Sequence, residues 1–154
     1  MATVGAVDSE AAIRSINDSF ERLAIGARRS IRSAAAMLAP DLQPAAWPVF
    51  GRIIRAERIQ ASTIVSSLGM DKSAVSRHVK ELRALGLVDV ERDEHDARVL
   101  WITPTPLALG RAATVLEDQR TKLRGALETW SAADVERFAE LLDRFSQRAA
   151  LPEE

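Results

Sequence analysis

The sequence predicts a mainly α-helical fold: a winged helix-turn-helix with a two-stranded β-wing, flanked by long helices. Three observations predict it. A stretch with two opposed faces, "DKSAVSRHVKELRAL" (71–85), follows a short helix across a glycine, Gly69. Two runs of strand-forming residues, "VDVER" (88–92) and "RVLWI" (98–102), come directly after it, joined by the polar "DEHDA" (93–97). Apolar residues at spacings of three and four run on through both flanks.

The chain has 154 residues, of which 47% are hydrophobic and 28% charged, enough for one globular, soluble domain with a real core. It holds no run of about 18 apolar residues that could span a membrane. "MATVGAVDSE" lacks the basic start and apolar core of a secretory signal, so the expected location is the cytoplasm. Cysteine is absent, which excludes disulfides, thiolate metal sites, cysteine nucleophiles and cysteine redox sensing. His78 and His95 are too few for a histidine-based metal cluster, and nothing calls for a cofactor. The net charge of −1 argues weakly against nucleic acid as a partner, but binding depends on local patches rather than on the average.

Residues 1–8 are expected to be disordered. From Ser9 a long helix carries Ile13, Ile16, Phe20, Leu23, Ala27 and Ile31 on one stripe, which either packs on its own core or meets a second chain. "MLAPDLQP" breaks it at about residue 40. A second helix starts with Pro44 at its first position, bears Trp47, Phe50, Ile53 and Ile54, and is irregular at its start because Pro48 lacks an N–H. "RIQASTIVSSLG" reads as a short extended piece and a helix of about two turns, N-capped by Ser62 and closed by a left-handed Gly69. Asp71 caps the next helix. After the hairpin, Thr103 and Pro104 read as N-cap and first turn of a long helix running to Trp130. "SAAD" (131–134) has capping-box spacing for a last helix with Val135, Phe138, Leu141, Leu142 and Phe145.

In the helix after Asp71 each residue turns ~100°, so Val75, Val79 and Leu82 fall on one side and Ser73, Arg77 and Lys80 on the other. Residues 71–85 carry four cations (Lys72, Arg77, Lys80, Arg83) against two anions, on a chain that is acidic overall. Alone, such a face is usually just solvated. A two-turn helix, a tight glycine turn and a second helix set at a fixed crossing angle, however, form the geometry that projects a helix into a major groove. A hairpin directly behind it can reach the phosphates or the minor groove alongside.

The segment "SSLGMDKSAVSRHVKELRALGLV", followed by "DAR" (96–98) and "ITP" (102–104), resembles the MarR family of transcription regulators, over residues 60–104. The resemblance implies a winged helix-turn-helix DNA-binding domain over 41–103 and dimerisation helices over 9–40 and 104–150. It places Ser73, Ser76, Arg77 and Lys80 on the groove-reading face, beside Lys72. It also makes Asp96 and Arg98 the wing pair in which the Asp orients an Arg at the minor groove. Here Val90, Glu91 and Ala97 stand where relatives often have basic residues, which puts more of the phosphate anchoring on Arg98. Pro106 stands where glycine is common, which points to a displaced start of the long helix. The implied partners are a second copy of the chain, double-stranded DNA with a pseudo-palindromic operator, and a small aromatic or amphipathic anion. That ligand would lie near Arg28, Arg32, Trp47 and Phe50, although Trp47 and Phe50 also read as plain core and the arginines as solvated.

The implied function is a sequence-specific regulator, a repressor released by a ligand. The alternative is a winged helix that contacts protein without DNA, to which the missing basic residues at 90, 91 and 97 give some weight. No hydroxyl–imidazole pair or glycine-rich phosphate loop supports an enzyme.

Overall fold

The computed structural model describes residues 9–96 and 99–149. The expectations for residues 1–8 and for Ala97 and Arg98 lie outside the described residues. Helix α1 spans Ser9–Leu38; a 3₁₀ turn at Pro44–Ala46 leads into α2, Trp47–Ala56. Strand β1 is Ile59–Gln60; α3 is Ala61–Leu68, α4 Lys72–Ala84, β2 Val88–Arg92 and β3 Leu100–Pro104. Helices α5, Pro106–Leu127, and α6, Ala132–Ala149, complete the chain. Two compact units divide after Val115.

The first unit has one core. Leu38 and Leu42 meet Val49, Phe50 and Ile53 of α2, Ile64 of α3, Val75 and Leu82 of α4, and Leu87 and Ile102 of the wing. Only the C-terminal end of α1 takes part, through Ala34, Ala35 and Leu38. Earlier on the helix Ile13, Ile16, Leu23 and Ile25 are exposed, by 50–64%. The α1 stripe therefore does not pack on the core of its own chain over those turns. Arg111 of α5 donates from Nη1 to the Leu38 carbonyl (2.9 Å), giving α1 the C-terminal cation that its own last turn lacks.

The wing is the expected hairpin, extended on its outer edge. The sheet order is β1-β3-β2, all antiparallel, with Ile59 opposite Ile102 and Val90 opposite Ile102 on the other side. Strand β3 starts and ends two residues later than expected, because Val88 pairs with Pro104 and draws the strand to that point. The first Thr-Pro pair is thus strand and the second is the cap. Thr105 Oγ1 accepts from Ala108 N (3.2 Å), and Pro106 occupies the first helical position, where a missing N–H costs nothing. The same hydroxyl donates to the Gly86 carbonyl (2.8 Å), tying the helix start to the turn before the wing.

Other boundaries also shift. Gln60, not Ser62, holds the N-cap position of α3, without a side-chain cap, because pairing with β3 keeps residues 59–60 extended up to the first helical residue. Helix α5 ends at Leu127, so Trp130 lies in the turn, edge-on to Phe138 with ring centroids 5.4 Å apart. At 131–134 the serine half of the box forms: Asp134 N donates to Ser131 Oγ (3.1 Å), and Asp134 Oδ2 accepts from the serine hydroxyl (2.7 Å). Among the described side chains of α6 none is buried.

Candidate nucleic-acid interface

Helices α3 and α4 are joined by Gly69, at φ 60°, and by Asp71, whose Oδ1 accepts from Ala74 N (2.8 Å). The cap fixes where α4 begins and so fixes its phase. Ala74, Val75, Val79 and Leu82 are buried, while Lys72, Ser73, Ser76, Arg77 and Lys80 are exposed. Ser73 also supports the cap, since its hydroxyl donates to Asp71 Oδ1 (2.5 Å). That bond, then the Ala74 amide, holds the Asp71 carboxyl below the usual aspartate range. The far end of α4 closes at Gly86 (φ 69°), with Leu87 N donating back to the Leu82 carbonyl (2.9 Å).

Helix α4 is also clamped to the linker between α1 and α2. Glu81 Oε1 accepts from Gln43 N (2.7 Å), and its Oε2 lies 3.4 Å from His78 Nδ1. His78 is half-buried at the edge of the apolar face. Sequence reasoning passed over Glu81, although an acid among four cations was the available signal.

Between α4 and the wing lies a groove of about 450 Å³, lined by Lys72, Val75, Ser76 and Val79 on one side and by Val90, Leu100 and Ile102 on the other. The wing tip is organised by Asp93, which the sequence shows only as part of the polar stretch joining the two strands. Its Oδ1 accepts from the amides of His95 (2.9 Å) and Asp96 (3.1 Å), and its Oδ2 from Trp101 Nε1 (2.8 Å). The Trp101 bond foremost, then the two amides, keeps its carboxyl below the usual range. Asp96 is exposed on the hairpin tip, and its carbonyl accepts from Val99 N (2.9 Å).

The proposed ligand residues are not gathered into one cavity. Arg28 and Arg32 are exposed on α1; Trp47 is half-buried, and Phe50 is only 1% exposed, behind it at a ring-centroid distance of 5.8 Å. Among the described residues no cluster of three or more histidines and carboxylates is placed to hold a metal, and no helix is long and apolar enough to cross a membrane.

A capped helix exposing cations opposite its buried face, set between a glycine turn and a β-hairpin, defines the class of winged helix-turn-helix proteins. Residues 41–99, which span the winged helix-turn-helix, match the model of the MarR family. No curated protein sequence matches the chain. Among solved structures, a Mycobacterium tuberculosis protein superposes with a TM-score of 0.76 at 18% identity, covering 98% of this chain and 99% of that one. A MarR-family protein from Bacillus stearothermophilus gives 0.73 at 18% identity, covering 90% and 97%. A putative MarR-family transcriptional regulator from Listeria monocytogenes, solved with a 26mer DNA, gives 0.68 at 16% identity, covering 84% and 87%. At these identities the likeness shows the fold, one that runs through the flanking helices as well as the winged helix.

Proposed function

We propose that the chain is a sequence-specific transcriptional regulator that binds double-stranded DNA as a homodimer. The observation that carries this reading is α4: Arg77 and Lys80 stand exposed opposite Val75, Val79 and Leu82, which are in the core, and Lys72 and Ser76 are exposed beside them. The DNA complex of the Listeria protein supports it from outside. In this reading Arg77 reaches a base edge, Lys80 and Lys72 reach groove or phosphate, and Ser73 and Ser76 share the groove-reading face. Asp96 and Arg98 belong to the wing. Two copies place two reading helices about 34 Å apart, so the operator is a pseudo-palindrome. Repression released by a small aromatic or amphipathic anion near Arg28, Arg32 and Trp47, with Phe50 supporting the tryptophan, completes the proposal. Such a regulator is not an enzyme and works in the cytoplasm, where the DNA is.

The test is selection of bound sequences from random duplex DNA, then titration of the selected operator. Arg77→Ala is expected to cost ~1–3 kcal/mol and to relax one position of each half-site. Unchanged affinity and selectivity in a folded Arg77→Ala and Lys80→Ala double variant would falsify the DNA-reading role of α4.

A further inference from the structure

Strand β3 turns Leu100 and Ile102 toward the α4 groove and therefore turns Trp101 to the other face of the sheet. There a second cavity of about 550 Å³ is lined by Arg52, Arg55, Arg58, Gln60, Thr63 and Trp101. Every ionisable group in that lining is a guanidinium. None of the three takes part in an ion pair among the described residues. Asp93 acts on Arg58 electrostatically, but its oxygens are already engaged by Trp101 Nε1 and two amides; Glu91 stands opposite Trp101 in the sheet.

Two of the three arginines are held in place. Arg52 Nε donates to Ser67 Oγ (3.0 Å), and the Arg58 guanidinium lies 4.4 Å from the centre of the Trp101 ring. A guanidinium has five N–H donors, so a single bond to Ser67 leaves most of Arg52's donors unspent. The Thr63 hydroxyl and the Gln60 amide add neutral donors to the lining. The backbone, too, is bent to present Arg58: Glu57, just before it, has φ 59°. Three like charges in one depression repel one another, and an anion among them relieves that repulsion while collecting charge-assisted hydrogen bonds. The volume falls in the ~300–1,000 Å³ range of small-molecule sites.

We infer that this depression is a binding site for a small molecule bearing a phosphate or carboxylate group, separate from the α4 face and from Arg28 and Arg32. Because Arg52 and Arg55 belong to α2 and Trp101 to the wing, an anion there ties the wing to α2. The site stands independently of the DNA-binding reading.

The experiment follows the tryptophan indole N–H signals of the full-length protein by NMR during titration with inorganic phosphate and, separately, phthalate, at constant ionic strength with chloride as balance. The Trp101 signal is assigned by its loss in Trp101→Phe. A saturable shift of that signal is expected, with affinity reduced by about tenfold or more in Arg52→Gln/Arg55→Gln and in Arg58→Gln, and kept in Arg77→Ala. Circular dichroism confirms that each variant is folded, and the double variant leaves the Arg58–Trp101 stack intact. A linear, unsaturated shift, or saturation unchanged in the arginine variants, overturns the site. So does a loss of duplex DNA affinity in Arg52→Gln/Arg55→Gln when the wild type gives no phosphate or phthalate response, since the cluster is then a DNA contact.

Discussion

Glu57 is the only non-glycine residue with a positive φ among the described residues, and it closes a three-residue turn in which Arg58 N donates to the Ala56 carbonyl (2.6 Å). That hand of the γ-turn is strained for an L-residue, at a cost of ~1–3 kcal/mol. Glycine removes the strain but loosens the unfolded chain, so Glu57→Gly is expected to raise stability by ~0.5–1 kcal/mol net in urea unfolding. An unchanged or lower midpoint would show that the turn is not strained. At Asp93 the argument concerns protons. Its folded pKa is lowered by Trp101 and the amides of His95 and Asp96. A lowered folded value means that its stabilisation of the wing tip is complete above the unfolded aspartate pKa and is lost as pH falls through the folded one. The Trp101 indole signal is accordingly expected to titrate with a midpoint below the usual aspartate range. Asp93→Asn is expected to abolish that step. A midpoint at or above the ordinary value contradicts the assignment.

At the scale of elements, what the sequence made legible depended on how local the cause was. Gly69, Asp71 and the α4 stripe were readable because a left-handed turn, a cap and a helical face each depend on neighbours within four residues. The shift from Thr103 to Thr105 was not, because "TPTP" offers two equivalent caps and the choice is made by Val88 pairing with Pro104 across the sheet. Strand β1 was seen as an extended piece, but its partner lies more than forty positions away. For the candidate site, the exposed cations of α4 were legible, whereas Asp93 and Glu81 were not: their partners Trp101 and Gln43 come from other elements. Two substitutions check this view. Gly69→Ala meets no atom within 4 Å, so its cost is purely that of φ, ~1–2 kcal/mol in thermal or urea unfolding. Thr105→Val keeps the shape but loses both the bond to Ala108 N and the bond to the Gly86 carbonyl, an expected loss of ~1–2 kcal/mol. Wild-type stability in Thr105→Val would return the cap to Thr103.

For the whole molecule the open question is what covers the apolar stripes. On α1 Ile13, Ile16, Leu23 and Ile25 are 50–64% exposed, and on α6 Phe138, Leu141 and Leu142 are 40–47% exposed, with no buried residue among those described on that helix. A large side chain gains ~1.5–3 kcal/mol from full burial, so residues left half in water on two helices forgo a sum comparable with the stability of an entire small domain. The stripes follow helical spacing, which makes each a continuous seam of the kind that a second helix fills. A second copy is the partner always available at equal concentration, and a two-fold axis makes the contact reciprocal, so that the stripes of each copy are covered by those of its mate. The expected result of sedimentation equilibrium at micromolar concentration is twice the mass of the chain. Leu141→Glu with Leu142→Glu is expected to shift the equilibrium to monomer and to lower the helix signal, because no described residue of α6 is buried. The winged helix, with its core from Leu38 to Ile102, is expected to stay folded in that variant and to bind one half-site weakly. A wild-type chain that sediments as a stable, fully helical monomer would remove the dimer from the proposal and leave the two stripes to some other partner.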